Sequence, residues 1–337
     1  MRDVGAVLVG EALHGAGRRL RESGSESARL DAELLLAHVL GVDRSTILAH
    51  PERSIGQAQL AAYQGSVDRR TIGEPVAYIR GVKEFFGLAF AVDARALIPR
   101  PETETLVELA LARVTEVLSG ACGARGGTAY RIRDVGTGSG AVAVSLAVLL
   151  RRRGYAGAVQ VVATDTSPDA LALAAENVAS HGVSDMVMLG LADLLAEKGD
   201  WGVAGDEGDA ADEAIGGDEA DEGGQEGQED KDLVVGNLPY VPSAEVPRLP
   251  VAASFEPLAA LDGGPDGLLL IRRLLAQLPR GLAAGGQALL EIGSDKDDAL
   301  RAAVERTLPG WTVAVHPDLS GQPRVARVTR RETGTRR

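Results

Sequence analysis

The 337 residues suffice to bury a full core and point to two domains. Hydrophobic residues make up 45%, an ordinary globular share, and the one cysteine, Cys122, excludes a disulfide framework or a cysteine-cluster metal site. The net charge of −13 has a single source: residues 200–230 hold 13 Asp/Glu and no Lys/Arg, which leaves 35 acids against 35 bases elsewhere.

A neutral body without a strong basic patch argues against tight duplex binding, so no direct nucleic-acid partner is expected. His14, His38, His50, His181 and His316 are scattered without ligand spacing, and no metal is expected. No apolar run approaches the ~20 residues of a membrane span. The first residues lack a signal-like apolar core. A cytoplasmic monomer is the expectation.

Residues 1–72 read as helical. Leu30, Leu34, Ala37 and Leu40 follow helical spacing, with Gly41 as the stop. A second helix is predicted over 57–70. Residues 73–98 change character: Gly87 and the alternation from Leu88 to Val92 predict a hairpin that links two domains. Leu97-Ile-Pro-Arg-Pro-Glu-Thr-Glu104 then leads into a helix from Leu106 to about Leu118, whose first turn Glu102 and Glu104 favour through the helix dipole.

A strand runs into Gly136-Thr137-Gly138-Ser139-Gly140, and a helix opens at once. Such a turn bares backbone N–H groups to a ligand. With Ala141 it also matches Gly-x-Gly-x-x-Ala, so the turn alone does not separate a dinucleotide from another adenosine cofactor. The next strand, Val159 to Ala163, leads to Asp165, an acid placed to accept hydrogen bonds from both ribose hydroxyls. A third, Met186 to Leu189, leads to Asp193 and Leu194. The acid suits an adenine amine and the leucine its ring, although a plain surface acid reads equally well there.

Residues 200–230 are Gly, Ala, Asp, Glu and Gln with almost nothing to bury, and disorder is expected. The next strand, Leu233 to Val235, is apolar as a buried parallel strand would be. It ends at Gly236 and is followed by Asn237-Leu238-Pro239-Tyr240. Pro239 pushes Leu238 towards an extended conformation and so directs its carbonyl. That carbonyl and the Asn237 side-chain oxygen are two acceptors for one planar –NH2 group, with Tyr240 as a flat face beside it. A helix is predicted over 266–278, a strand over 285–293, a helix over 297–307, and closing strands at Trp311–His316 and Arg324–Val328.

This order resembles the class I S-adenosylmethionine-dependent methyltransferases, and more closely the HemK/PrmC family of peptide chain release factor N5-glutamine methyltransferases. The most specific piece is Glu74-Pro75, Tyr78-Ile79, Gly81, Glu84-Phe85, Gly87-Leu88 and Phe90, leading into Leu97–Glu104. Glu256-Pro257, Gly263-Gly264, Asp266-Gly267 and Glu291-Ile-Gly293 match further on.

The resemblance implies an α/β Rossmann-like seven-stranded methyltransferase domain over 99–330, carrying the acidic insert at about 198–231 and followed by a tail at 331–337. It implies a small N-terminal helical domain over 1–72 that docks the release factor, and a hairpin linker over 73–98. S-adenosylmethionine would lie against Gly136, Thr137, Gly138, Ser139 and Gly140, with Asp165, Asp193 and Leu194 on its ribose and adenine side and Asn237 nearby. Asn237, Leu238, Pro239 and Tyr240 would hold the glutamine of the factor's Gly-Gly-Gln loop. The family usually has Asn-Pro-Pro-Tyr. Leu238 makes the tetrad look also like that of adenine-N6 methyltransferases acting on RNA, which, with DNA-directed ones, are the alternative reading. A dinucleotide oxidoreductase leaves the tetrad unexplained, and a silent interaction protein would put its business end in the acidic insert.

Overall fold

The computed structural model describes residues 7–120, 129–197 and 231–331. The acidic run expected at 200–230 lies outside the described residues, as do 332–337 of the tail.

The N-terminal part is built from α1 (Val9–Glu22), α2 (Ala28–Leu40), α3 (Arg44–Ala49) and α4 (Gln57–Thr71). The two-residue strands β1 (Val7–Leu8) and β2 (Ser54–Ile55) pair antiparallel across it. Its core holds Val9, Leu20, Leu35, Leu36, Ile47, Tyr63 and Val67. Gly41 stops α2 in the left-handed conformation, at φ +64°. The face of α2 differs from the predicted one. Ala28, Ala32, Leu35 and Leu36 are buried, whereas Leu30 is exposed. In a helix this apolar, spacing alone does not select the inner stripe.

The linker is more than a hairpin. A short helix α5 (Val76–Arg80) precedes β3 (Val82–Phe85) and β4 (Leu88–Ala91). Neighbouring residues of α5 serve two cores: Ile79 joins that of the N-terminal helices and Tyr78 that of the sheet. The Tyr78 hydroxyl also donates to the Ala96 carbonyl at 2.7 Å. The hairpin turns on Phe86 and Gly87, both at positive φ, and Phe86 donates its N–H to Glu104 Oε1 at 2.8 Å.

After it come α6 (Glu104–Ser119), β5 (Tyr130–Val135), α7 (Ala141–Arg152), β6 (Val159–Asp165), α8 (Pro168–Ser180), β7 (Val187–Asp193), the two-residue β8 (Ala196–Glu197), β9 (Lys231–Gly236), α9 (Leu269–Gly281), β10 (Leu282–Glu291), α10 (Asp297–Thr307), β11 (Trp311–Pro317) and β12 (Pro323–Arg330). The sheet order is β11-β12-β10-β9-β5-β6-β7-β8. β10, β9, β5, β6 and β7 run parallel, while β12 is antiparallel to both its neighbours. The expected seven strands are thus present, extended by β8. β7 runs longer than predicted and contains Asp193.

Alternation along the central strands divides the core. Leu233, Val235 and Leu289 pack with α6 and α7, and Val234, Ala288 and Leu290 pack with α9 and α10. With helices on both faces, the centre of β9 must be apolar on both sides, as Leu233, Val234 and Val235 are.

Candidate active site

Strand register builds the site. Val135 pairs with Gly236 and Leu290 pairs with the same residue from the other side. The residues that follow, Gly136, Asn237 and Glu291, therefore leave the sheet side by side. On the far flank Val135 pairs with Thr164 and Asp165 with Leu191. The chain reverses its direction of travel between β5 and β9, the place where open α/β sheets bind ligands at the carboxyl ends of their strands.

The glycine turn is held by its neighbours. Gly136 and Thr137 donate their N–H groups to the Thr164 carbonyl at 2.8 and 2.9 Å. Gly138 donates to Asp165 Oδ2 at 2.9 Å, and Ser167 N–H donates to the other oxygen at 3.0 Å. Asp134, wholly buried, accepts from Thr137 Oγ1 at 2.7 Å. Burial pushes its carboxyl up to about 7, against the pull of the Thr137 hydroxyl and the Ala143 N–H. Asn177 of α8 joins turn to linker: its amide donates to the Ser139 and Ala91 carbonyls and accepts from Ala91 N–H. Gly136 has φ +70°, and a Cβ there would stand 3.1 Å from Leu238 Cδ2.

Asp193 ends β7, the strand beside the one that carries Asp165, and Leu194 follows it. Asp193 forms a half-exposed ion pair with Arg273 at 2.6 Å. Leu194 has φ +60° and is buried among the α9-side core residues. Its backbone position is a strained one for a leucine.

The tetrad is fixed from three directions. Asn237 Nδ2 donates to Thr103 Oγ1 at 3.0 Å. The Leu238 side chain is buried in the α9-side core. The loop after it wraps the backbone: Val241 N–H donates to the Leu261 carbonyl at 3.1 Å and Gly263 N–H to the Val241 carbonyl at 2.8 Å. A Cβ on Gly263 would meet the Pro239 carbonyl at 2.6 Å, and one on Gly267 the Tyr240 carbonyl at 2.2 Å. Arg100 reaches Glu256 Oε2 at 2.6 Å and ties this loop to the segment ahead of α6. Burial pushes the Tyr240 hydroxyl up to about 12, so it stays protonated at neutral pH. Neither Asn237 Oδ1 nor the Leu238 carbonyl accepts a hydrogen bond from the described residues.

Residues 11–81 match the family model described as the PrmC N-terminal domain. The release factor glutamine methyltransferase of Moorella thermoacetica is 37% identical over 326 residues, 97% of this chain and all of that one. That of Deinococcus radiodurans is 35% identical over 315 residues, covering 94% of this chain and 96% of its own. The chain belongs to the release factor glutamine methyltransferase family. A solved protein-(glutamine-N5) methyltransferase of Alicyclobacillus acidocaldarius is 26% identical, with a TM-score of 0.36 over 72% of this chain and 99% of that one.

The family's methyl donor is S-adenosylmethionine. The residues present fit such a group. Gly136, Gly138 and Gly140 all have positive φ and carry no side chain, while those of Thr137 and Ser139 are buried. Asp165 spends one lone pair of each oxygen on backbone N–H groups, and a carboxylate has about four such sites, so two remain for hydroxyls.

Sequence reasoning passed over Thr103, Asp134, Asn177 and Glu291 as separate site candidates. Thr103 and Glu291 stood inside the runs that carried the family resemblance. Glu291 also carried a simpler signal, an acid closing the apolar run Ala288-Leu289-Leu290.

Proposed function

We propose that this chain transfers a methyl group from S-adenosylmethionine to the side-chain amide nitrogen of the glutamine in the Gly-Gly-Gln loop of a peptide chain release factor. The single observation that carries the reading is the pair of open acceptors, Asn237 Oδ1 and the Leu238 carbonyl, beside the glycine turn. The bound sulfonium supplies an electrophilic methyl group. The Gly136–Gly140 backbone holds the methionine end, Asp165 the ribose, and the Asp193–Leu194 corner the adenine.

An amide nitrogen is a poor nucleophile because its lone pair is delocalised into the carbonyl. Accepting both N–H hydrogens at Asn237 and Leu238 raises electron density on that nitrogen and fixes its plane. Tyr240 lies against the same plane. Positioning and electrostatics thus carry the catalysis. As the new C–N bond forms, the sulfur–methyl bond would break, its electron pair would stay on sulfur to give S-adenosylhomocysteine, and one N–H proton would go to solvent. The N-terminal helices dock the factor. Among the described residues no helix is long and apolar enough to cross a membrane.

The test is label transfer from S-adenosylmethionine to a purified release factor, compared with a factor whose Gly-Gly-Gln glutamine is replaced. Label on the first alone is expected. An exocyclic adenine amine fits the same two acceptors, so label on RNA or DNA and on neither factor would overturn the reading.

A further inference from the structure

Asn237 has a problem its own sequence position does not solve. Its amide has two ends of similar shape, and only the oxygen end serves the substrate. Nδ2 donates to Thr103 Oγ1 at 3.0 Å, but a hydroxyl both donates and accepts. A free hydroxyl would tolerate the flipped amide equally well. Something must remove that freedom.

Glu291 is the candidate. It is the last residue of β10, is 0% exposed, and neither carboxylate oxygen has a hydrogen-bond partner of normal geometry. Strand alternation places it with Leu289 and its partner Val325, on the α6 face, where Thr103 is buried. Burial pushes its carboxyl up to about 7, and the Thr103 hydroxyl is the foremost group pulling it back down. The other groups acting on it are Arg100 and Glu102 ahead of α6, Arg324 of β12, and Tyr240 after β9. Once ionised, this buried carboxylate beside Asn237 has no other hydrogen-bond partner among the described residues and draws the threonine hydrogen to itself. The hydroxyl then offers only lone pairs to Asn237.

Resting on the function proposed above, we infer that Glu291 and Thr103 are positioning residues that set which end of the Asn237 amide faces the substrate. Glu291 takes the Thr103 hydrogen, Thr103 accepts from Nδ2, and Oδ1 is left for the incoming amide.

The experiment compares Thr103→Val, Thr103→Ser, Glu291→Gln and the Thr103→Val/Glu291→Gln double variant in methyl transfer to the release factor. S-adenosylhomocysteine affinity is measured on each. The expected result is a kcat at least tenfold lower for Thr103→Val and for Glu291→Gln. KM for the factor and affinity for S-adenosylhomocysteine stay within twofold. Thr103→Ser recovers most of the rate, and the double variant is no slower than the slower single. The wild-type rate falls as pH drops through about 7, because protonated Glu291 frees the threonine hydrogen, and Glu291→Gln lacks that limb. A Thr103→Val kcat within twofold of wild type, losses that multiply in the double variant, or no rescue by serine would overturn the inference alone. A wild type that leaves the factor unlabelled would remove the proposed function and this inference with it.

Discussion

Holding one carbonyl still is the task of the smallest residues in the site. Gly267 has φ +77° and its missing Cβ leaves room for the Tyr240 carbonyl. Gly267→Ala adds backbone strain of about 1–3 kcal/mol and must also push that carbonyl aside. The expected outcome is a kcat lowered by at least tenfold in a steady-state assay, with cofactor affinity retained, because the displaced groups belong to the tetrad. Leu238 stands where the family pattern has proline. Its side chain packs against Gly136 in the core, while Pro239 still constrains it from the next position. The tetrad and its two acceptors were legible because residue type and order alone define them. The Thr103–Asn237 contact was not, because 134 residues separate the partners and only the fold brings them together.

At the level of elements, α8 is tied to both the glycine turn and the linker hairpin by one side chain. Asn177 is fully buried and serves the Ala91 N–H and the Ala91 and Ser139 carbonyls. Asn177→Leu keeps the volume and orphans three backbone groups, at about 1–3 kcal/mol for each left without a partner. Thermal unfolding should therefore shift down by several degrees, and titration with S-adenosylhomocysteine should show weaker binding, since the turn loses its brace. An unchanged affinity would mean that the turn holds itself. The long parallel strands and α6 were legible from apolar runs and spacing. The short α5 was not, because five residues carry too little periodicity to register. The start of α9 falls later than predicted, at Leu269, because Gly263–Gly267 is spent wrapping the tetrad.

For the molecule as a whole, the pH dependence of stability follows from which carboxyls the fold raises and which it lowers. Burial raises Asp134 and Glu291 to about 7. Between the ordinary carboxylate range near 4 and that value, the folded chain holds protons that the unfolded chain has released. Their contribution is therefore largest at the acid end of this window and is lost as pH rises through about 7. Asp93, Asp266 and Asp318 are lowered, chiefly by hydrogen bonds from Arg95, Arg272 and the Gln322 N–H, and their stabilisation is lost as pH falls below the ordinary range. The melting temperature should rise on going from pH 8 to about 5.5 and fall again in stronger acid. Glu291→Gln should raise it at pH 8 and flatten that slope, even as it slows turnover. A calorimetric scan showing the variant less stable at pH 8 would contradict this. At this scale the class of fold was legible from the order of strands and motifs, and the family from runs spread over most of the chain. The positions of Asp193 and Leu194 relative to the other site residues were not, since they depend on β7 running through Asp193 and on the Arg273 pairing from α9.

In the proposed reaction Asn237 is the acceptor for the substrate amide, and its loss leaves the glycine turn and Asp165 to hold the cofactor. The most direct test measures, on the same preparation of Asn237→Ala, methyl transfer to the release factor and calorimetric binding of S-adenosylmethionine. Turnover lower by two or more orders of magnitude, with binding within a few-fold of wild type, is the predicted result. Near-wild-type turnover, or turnover and binding lost together, would contradict it.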